Sequence, residues 1–259
     1  MRALKFLLIA ILVVGLAVGA WFGWQRHQEQ ALFRETIAAN ITAPTGTGLF
    51  VEQLNHWVYN KEGFEQCQAR YVWSPLGATP LQIYQQGGDC SDKSRLLSAM
   101  LDSVGMDSTL VMLSPCRTCA STHTIVNAEV KGDVVAADPV YDIVWPDPAG
   151  GYRGVAEIRD DPAILAERLA ELKRLRPLPD KIHFHSPDEM KYGFPKTVNW
   201  DRDAVFAGIG GIVGQFTDEP YLVQRPRIFE DPKLFLMWVG LVPAGVAAIL
   251  LVLLRRRLR

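Results

Sequence analysis

Several things are scarce in this chain, and each shortage excludes something. Basic residues are not in excess: Lys and Arg number 27 against 28 Asp and Glu in 259 residues. Six of the basic residues (Arg2, Lys5, Arg255, Arg256, Arg257 and Arg259) lie in end segments that hold no acid. The middle therefore sets 21 basic residues against 28 acidic ones, a net charge of −7. A nucleic-acid partner wants a basic face, so that class is excluded. Cysteine is sparse too. Cys67, Cys90, Cys116 and Cys119 are the only four, too few for a fold built on disulfides. No internal repeat or low-complexity tract is present.

Charge is missing altogether from two long stretches. Residues 6–24 are 19 positions without a charge, and residues 234–254 are 21. Each is long enough to cross a hydrocarbon core of about 30 Å as a helix. Trp21, Trp24 and Trp238 suit interfacial anchoring. Pro243 inside the second stretch is better tolerated in a membrane than in water. Residues 1–24 are expected to be a transmembrane anchor, with a signal peptide ending near Val18-Gly19-Ala20 as the rival reading. Residues 234–254 are expected to be a second span and 255–259 a basic cytoplasmic tail. Basic flanks outside both spans put both termini in the cytoplasm and residues 25–233 across the membrane. In a bacterium that means an inner-membrane protein with a periplasmic domain.

The middle opens with helical spacing. A helix leaving the membrane is expected over Gln25–Asn40 and a second over Leu49–Asn60, with Phe50, Leu54, Trp57 and Val58 on one face. Residues 64–75 stay open between strand and loop. Thr79 and Pro80 read as N-cap and first helical residue of a short helix to Gln86. A glycine pair, Gly87-Gly88, then leads into Asp89-Cys90-Ser91-Asp92-Lys93-Ser94. Leu97, Met100, Leu101 and Val104 form one helical face before Gly105 stops it. Cys90 thus falls at a helix start, where unpaired N–H groups and the positive dipole end favour a thiolate and can hold an oxyanion.

Strands are expected at Thr109–Leu113, Thr124–Val130 and Val134–Ala137, the last two joined by Lys131-Gly132-Asp133. Helices followed by an antiparallel sheet make an α+β pattern. A thiol nucleophile wants an imidazole to take its proton and a third group to orient that imidazole. His123 stands 33 residues after Cys90, and Asp138 a further 15 on. Neighbouring antiparallel strands about 4.8 Å apart can bring such a pair together.

These residues carry a resemblance. Gly88-Asp89-Cys90-Ser91-Asp92-Lys93, Leu96 to Leu101 and Val104-Gly105-Met106 resemble the nucleophile helix of the transglutaminase-like superfamily. His123 with Ile125, Val126, Ala128, Glu129 and Val130 resembles its histidine strand, and Val135-Ala136-Ala137-Asp138-Pro139 its aspartate strand. The resemblance covers about Thr79 to Tyr141. It implies a papain-like core of helices on an antiparallel sheet, spanning residues 25–150, with residues 151–233 as an extension and linker. It implies acyl transfer or amide hydrolysis through a thioester, with Cys90 as nucleophile, His123 as base and acid, and Asp138 orienting the histidine. A protein or peptide substrate and envelope protein partners go with it. The alternative is a scaffold of the same fold without activity.

Two departures stand out. Ile125 occupies the place where the family usually has an aromatic residue, which bears on the substrate groove. The second oxyanion donor is open among Gln85, Gln86, Trp57 and Trp73.

Cys116-Arg117-Thr118-Cys119 reads as a small disulfide loop, ahead of two free thiols, a bridge to Cys67 or a redox pair. A zinc site lacks two further ligands. His183 and His185 near Asp188 and Glu189 alternate as metal ligands can, but loop histidines are commoner, so no metal and no cofactor are assigned. Beyond the hairpin, a helix is expected from Asp161-Pro162 to Leu175 and irregular chain over residues 176–200. The apolar, glycine-rich stretch Ala204–Phe216 is too short to span and is expected to be buried, with a membrane-surface element as the alternative.

Overall fold

The computed structural model describes residues 2–61, 67–72, 76–175 and 193–256. The chain divides into two compact units: residues 1–32, 70–79 and 226–259, and residues 33–69 and 80–225. The expectations for Trp73 and for His183, His185, Asp188 and Glu189 lie outside the described residues.

The first unit is built on two apolar helices. Helix α1 runs Arg2–Asn40, its first part in this unit, and α8 runs Pro232–Arg256. Both are long and apolar enough to cross a membrane. Small residues set their approach. A Cβ on Gly15 would meet the Gly240 carbonyl oxygen at 2.5 Å, and one on Gly240 would meet the Gly15 oxygen at 2.7 Å. Gly19 lies equally tight against Leu241. Small residues four apart let helix backbones close up, the packing favoured where lipid surrounds the pair. Beyond this contact sit two ion pairs, Lys233–Glu29 and Arg26–Asp231, both at 2.6 Å.

The second unit is α+β. Helices α2 (Gly48–Asn60), α3 (Pro80–Gln86) and α4 (Cys90–Ser103) precede strands β1 (Ser108–Ser114), β2 (His123–Val130), β3 (Asp133–Asp138) and β4 (Ile143–Val144). Helices α5 (Val155–Asp160) and α6 (Pro162–Leu175), strand β5 (Phe194–Lys196) and helix α7 (Ala204–Val213) follow. The sheet is antiparallel, in the order β4-β3-β2-β1-β5. Thr47 caps α2 by accepting from the Phe50 N–H. Val51, Leu54 and Val58 on α2 and Leu97, Met100 and Leu101 on α4 are fully buried. The other core joins Val111, Leu113 and Ile125 of the sheet to Val155 and Ile158 of α5 and Leu169 and Leu172 of α6.

Two expectations for the later chain are corrected. Residues 194–196 are not irregular: Pro195 pairs with Leu113 in edge strand β5. Proline is tolerated there because an edge strand leaves one side without a ladder to donate to. The stretch Ala204–Phe216 is not buried. It forms α7, none of whose residues is buried. Its apolar composition carried no information about which neighbour, if any, covers it.

Candidate active site

The site starts with the glycine pair. Gly87 has φ +76°, the left-handed conformation that ends α3. Gly88 must lack a Cβ because Asp92 packs onto it: a Cβ there would meet that of Asp92 at 2.2 Å. The sharp reversal delivers Asp89 as N-cap of α4, with Cys90 as its first residue. Asp89 and Asp92 form a reciprocal capping box. The Asp92 carboxylate also accepts from the Cys67 N–H at 3.0 Å. Burial pushes the Asp92 carboxyl above its ordinary range, against the pull of the Cys67 N–H. Lys93, next along, is buried and turns the other way. Its ammonium donates to the carbonyls of Tyr59 and Lys61 at 3.0 and 3.1 Å, which ties the end of α2 to α4. Burial lowers its pKa to about 8.

Helix α4 is pinned to the sheet beside the histidine. Ser94, one turn after Cys90 on the same face, donates to the Thr124 carbonyl at 2.9 Å. Ser98, one turn further, shares a hydrogen bond of 2.8 Å with Ser108 on β1. The β2–β3 register pairs Val126 with Ala137. One step further sets Asp138 beside Ile125, so His123 lies diagonally across from Asp138 on the same sheet face. Such diagonal neighbours are within reach of long or aromatic side chains.

His123 and Asp138 close that reach. Nε2 of His123 lies 2.8 Å from Asp138 Oδ2, and both residues are buried. The other carboxylate oxygen accepts from the backbone N–H groups of Val140 and Tyr141 at 2.9 and 3.2 Å. Asn55 of α2 donates to the Asp138 carbonyl at 3.2 Å, and the Tyr141 ring lies 5.3 Å from the imidazole. With Nε2 committed to Asp138, Nδ1 is the ring nitrogen left for Cys90, which lies near enough to add to the proton affinity of His123. Burial alone would push His123 down. The Asp138 charge and hydrogen bond, with a smaller contribution from nearby Cys90, outweigh it and raise the pKa to about 10. The structure thus joins His123 to Asp138 by a hydrogen bond and sets Cys90, at the start of α4, near the histidine.

The chain matches no protein-family model and no curated protein sequence. Among solved structures, it aligns with one described as a "Putative Cysteine Protease from Cytophaga hutchinsonii" at 15% identity and a TM-score of 0.34. That alignment covers 50% of this chain and 41% of the other. Calcium-bound LapG of Legionella pneumophila aligns at 15% identity and a TM-score of 0.31, over 46% of this chain and 66% of LapG. An EGTA-treated LapG structure aligns at 14% identity and 0.32, over 64% and 99%. The chain thus spans less than two thirds of the first two proteins it aligns with.

Cys116 and Cys119 are joined in a disulfide, while Cys67 and Cys90 are outside any disulfide. Two buried-side contacts steady that loop: the Lys196 ammonium donates to the carbonyls of Arg117 and Cys119, both at 3.2 Å. Ile125 is fully buried in the core and lines no open groove. Gln86 Oε1 lies 3.7 Å from the Cys67 sulfur, Trp57 stacks on Tyr84 at 5.8 Å, and Gln85 is exposed. Among the described residues, no group of three potential metal ligands forms. A cavity of about 570 Å³ is lined by Glu52, His56, Trp57, Asp142 and Arg168 among others, but not by Cys90, His123 or Asp138.

Sequence reasoning missed Ser94, Asn55 and Tyr141. Ser94 carried a signal, since a polar residue four positions after a nucleophile shares its helix face. Asn55 carried one too, as a polar residue adjoining the apolar face of α2.

Proposed function

We propose that the chain is a membrane-anchored cysteine enzyme of transglutaminase-like type, acting on amide or ester carbonyls of a protein or peptide. The observation that carries this reading is the buried His123–Asp138 pair with its free ring nitrogen toward Cys90 at a helix N-terminus. Cys90 is the nucleophile, His123 the base and acid, and Asp138 the group that orients the ring. Residues 25–150 are the catalytic core, extended by 151–233. Residues 1–24 and 234–254 are the anchors, with both termini and the tail 255–259 in the cytoplasm. The working domain is then extracytoplasmic, periplasmic in a bacterium, and open to partners in the envelope.

The Cys90 thiol gives its proton to His123, and the sulfur attacks the carbonyl carbon. A C–S bond forms, and the carbonyl π electrons move onto oxygen. The backbone N–H of Cys90, at the first turn of α4, stabilises that oxyanion. Collapse of the intermediate expels the amine or alcohol, which takes the proton from His123 Nδ1. A thioester remains on Cys90. Water or an acceptor amine, giving its proton to His123, then attacks the thioester and releases the thiolate. Asp138 stays ionised throughout and holds the imidazolium.

The test uses the full chain in detergent with p-nitrophenyl acetate. The expected result is a p-nitrophenol burst equal to the protein present, with acetyl recovered on Cys90. Neither should occur in Cys90→Ala. A burst that persists in Cys90→Ala, or a folded protein whose Cys90 is never acylated, would overturn the reading and leave the inactive scaffold.

A further inference from the structure

Helix α7 presents an apolar stripe that nothing among the described residues covers. Val205, Ile209 and Ile212 recur at spacings of four and three, which stacks them on one side of α7, and Phe216 follows in the turn after the helix. They are 70%, 45%, 59% and 83% exposed. Gly208 and Gly211 beside the stripe have open space where a side chain would stand. An adjoining side of α7 is held. Phe206, Gly210 and Val213 are half-buried at the same helical spacing. Gly210 lies so close to the Trp200 side chain that a Cβ would meet it at 2.8 Å. Trp200 in turn is fixed by its indole N–H, which donates to the Pro220 carbonyl at 2.7 Å. Asp203 caps the helix by accepting from the N–H groups of Val205 and Phe206. The stripe is thus flanked by a side of the helix that is packed in place.

We propose that this stripe of α7 inserts into the surface of the lipid bilayer that carries the protein. The inference rests on the anchoring part of the proposed function and goes beyond it. Two features favour lipid over a protein partner. The stripe offers no hydrogen-bonding group, whereas protein interfaces carry about one hydrogen bond per 100–200 Å² and a polar rim. A bilayer surface needs only apolar area. The chain also holds the bilayer within reach. Residues 217–231 separate Phe216 from the apolar helix α8, a tether of at most about 50 Å even fully extended. Tethering raises the local concentration of the bilayer, so a small apolar contact suffices. At 10 residues, α7 is too short to cross. Arg202, stacked over Phe206 at 4.1 Å, and Trp200 flank its start, residue types that suit the headgroup region.

The experiment places the full chain, with Cys90→Ala and its native disulfide kept, in phosphatidylcholine nanodiscs. A nitroxide is attached in turn at Val205→Cys, Ile209→Cys, Ile212→Cys and Phe216→Cys. Asp218→Cys serves as the water-facing reference and Val13→Cys in α1 as the lipid-facing one, with a chain lacking any added cysteine as the labelling blank. Oxygen, which concentrates in lipid, should broaden all four stripe labels more than a water-soluble nickel chelate does. The order should reverse at Asp218→Cys. Adding Ile209→Asp should reverse it at Ile212→Cys. If Val13→Cys reads lipid while the stripe reads water, the docking proposal falls and the anchor stands. If Val13→Cys also reads water, the anchoring reading falls with it. Spin–spin broadening between copies, or shielding of the stripe from both reagents, would assign the face to a second chain or to this chain itself and overturn the proposal.

Discussion

Two histidine–aspartate pairs in this molecule have the same length and opposite surroundings. His123 and Asp138 lie 2.8 Å apart at 6% and 0% side-chain exposure. His56 and Asp142 also lie 2.8 Å apart, at 62% and 15%. Beyond distance, everything differs. Asp138 has its second oxygen held by two backbone N–H groups, and His123 has its second nitrogen toward a thiol. The second nitrogen of His56 meets only Asn60, a neighbour on its own helix. Water screens the outer pair, while burial forces the inner one to be satisfied by protein groups alone. The length of an ion pair therefore assigns no chemistry. Desolvation and the third partner do.

The sharpest way to break the comparison is to alter the inner pair. His123→Ala removes the proton carrier, and acyl transfer should fall by about 10²–10⁴-fold, read as the p-nitrophenol burst rate. Asp138→Asn keeps the shape but favours the wrong tautomer, with an expected loss of about 10⁴-fold. Asp138→Ala strands a buried imidazolium and should also cost about 3–5 kcal/mol in urea unfolding. A fall in activity below tenfold for either Asp138 variant would contradict the orienting role.

A smaller effect is expected from the pin that holds the nucleophile helix to the histidine strand. Ser94→Ala leaves the buried Thr124 carbonyl short of a donor, at a cost of about 1–3 kcal/mol. If the pin sets the Cys90–His123 spacing, kcat falls while KM holds, and Ser94→Thr, which keeps the hydroxyl, recovers part of it. The smallest effect belongs to the outer pair. His56→Ala should change stability by about 0.2–1 kcal/mol, as exposed ion pairs do, and leave the burst unchanged.

The inner pair also predicts a pH signature. His123 is raised from 6.5 to about 10, so the folded chain holds this proton more tightly than the unfolded one. The stability it contributes is fully present below pH 6.5 and is lost as pH rises toward about 10. Nitrogen NMR of the imidazole should show both ring nitrogens protonated at pH 7, and His123→Ala should flatten the urea midpoint across that window. A ring that titrates near its ordinary value would contradict this.

Much of the site was legible in the sequence because local rules fix it. A glycine pair, an acidic cap and a helical face place Cys90 at a helix start, and two strands joined by Lys131-Gly132-Asp133 place His123 near Asp138. The lengths of α3 and α6 were legible for the same reason: proline at the first helical position marks each start. What was not legible depends on distant partners. Strand β5 is three residues with a proline, recognisable only once β1 is there to pair with it. The exposure of α7 could not be read from apolar residues, because composition does not say what covers them. The Gly15, Gly19 and Gly23 spacing was readable as a helix-packing stripe and was passed over as mere apolarity. The same chain thus hides its membrane-suited contact in small residues and announces its chemistry in polar ones.

The central claim is that His123 activates Cys90. The most direct measurement is the rate of Cys90 alkylation by iodoacetamide at neutral pH, mapped by mass spectrometry in the native chain and in His123→Ala. Buried Cys67 in the same molecule is the internal reference. The account predicts modification confined to Cys90 in the native chain and a large fall in its rate in His123→Ala, with Cys67 unchanged. Equal Cys90 rates in both chains would contradict it.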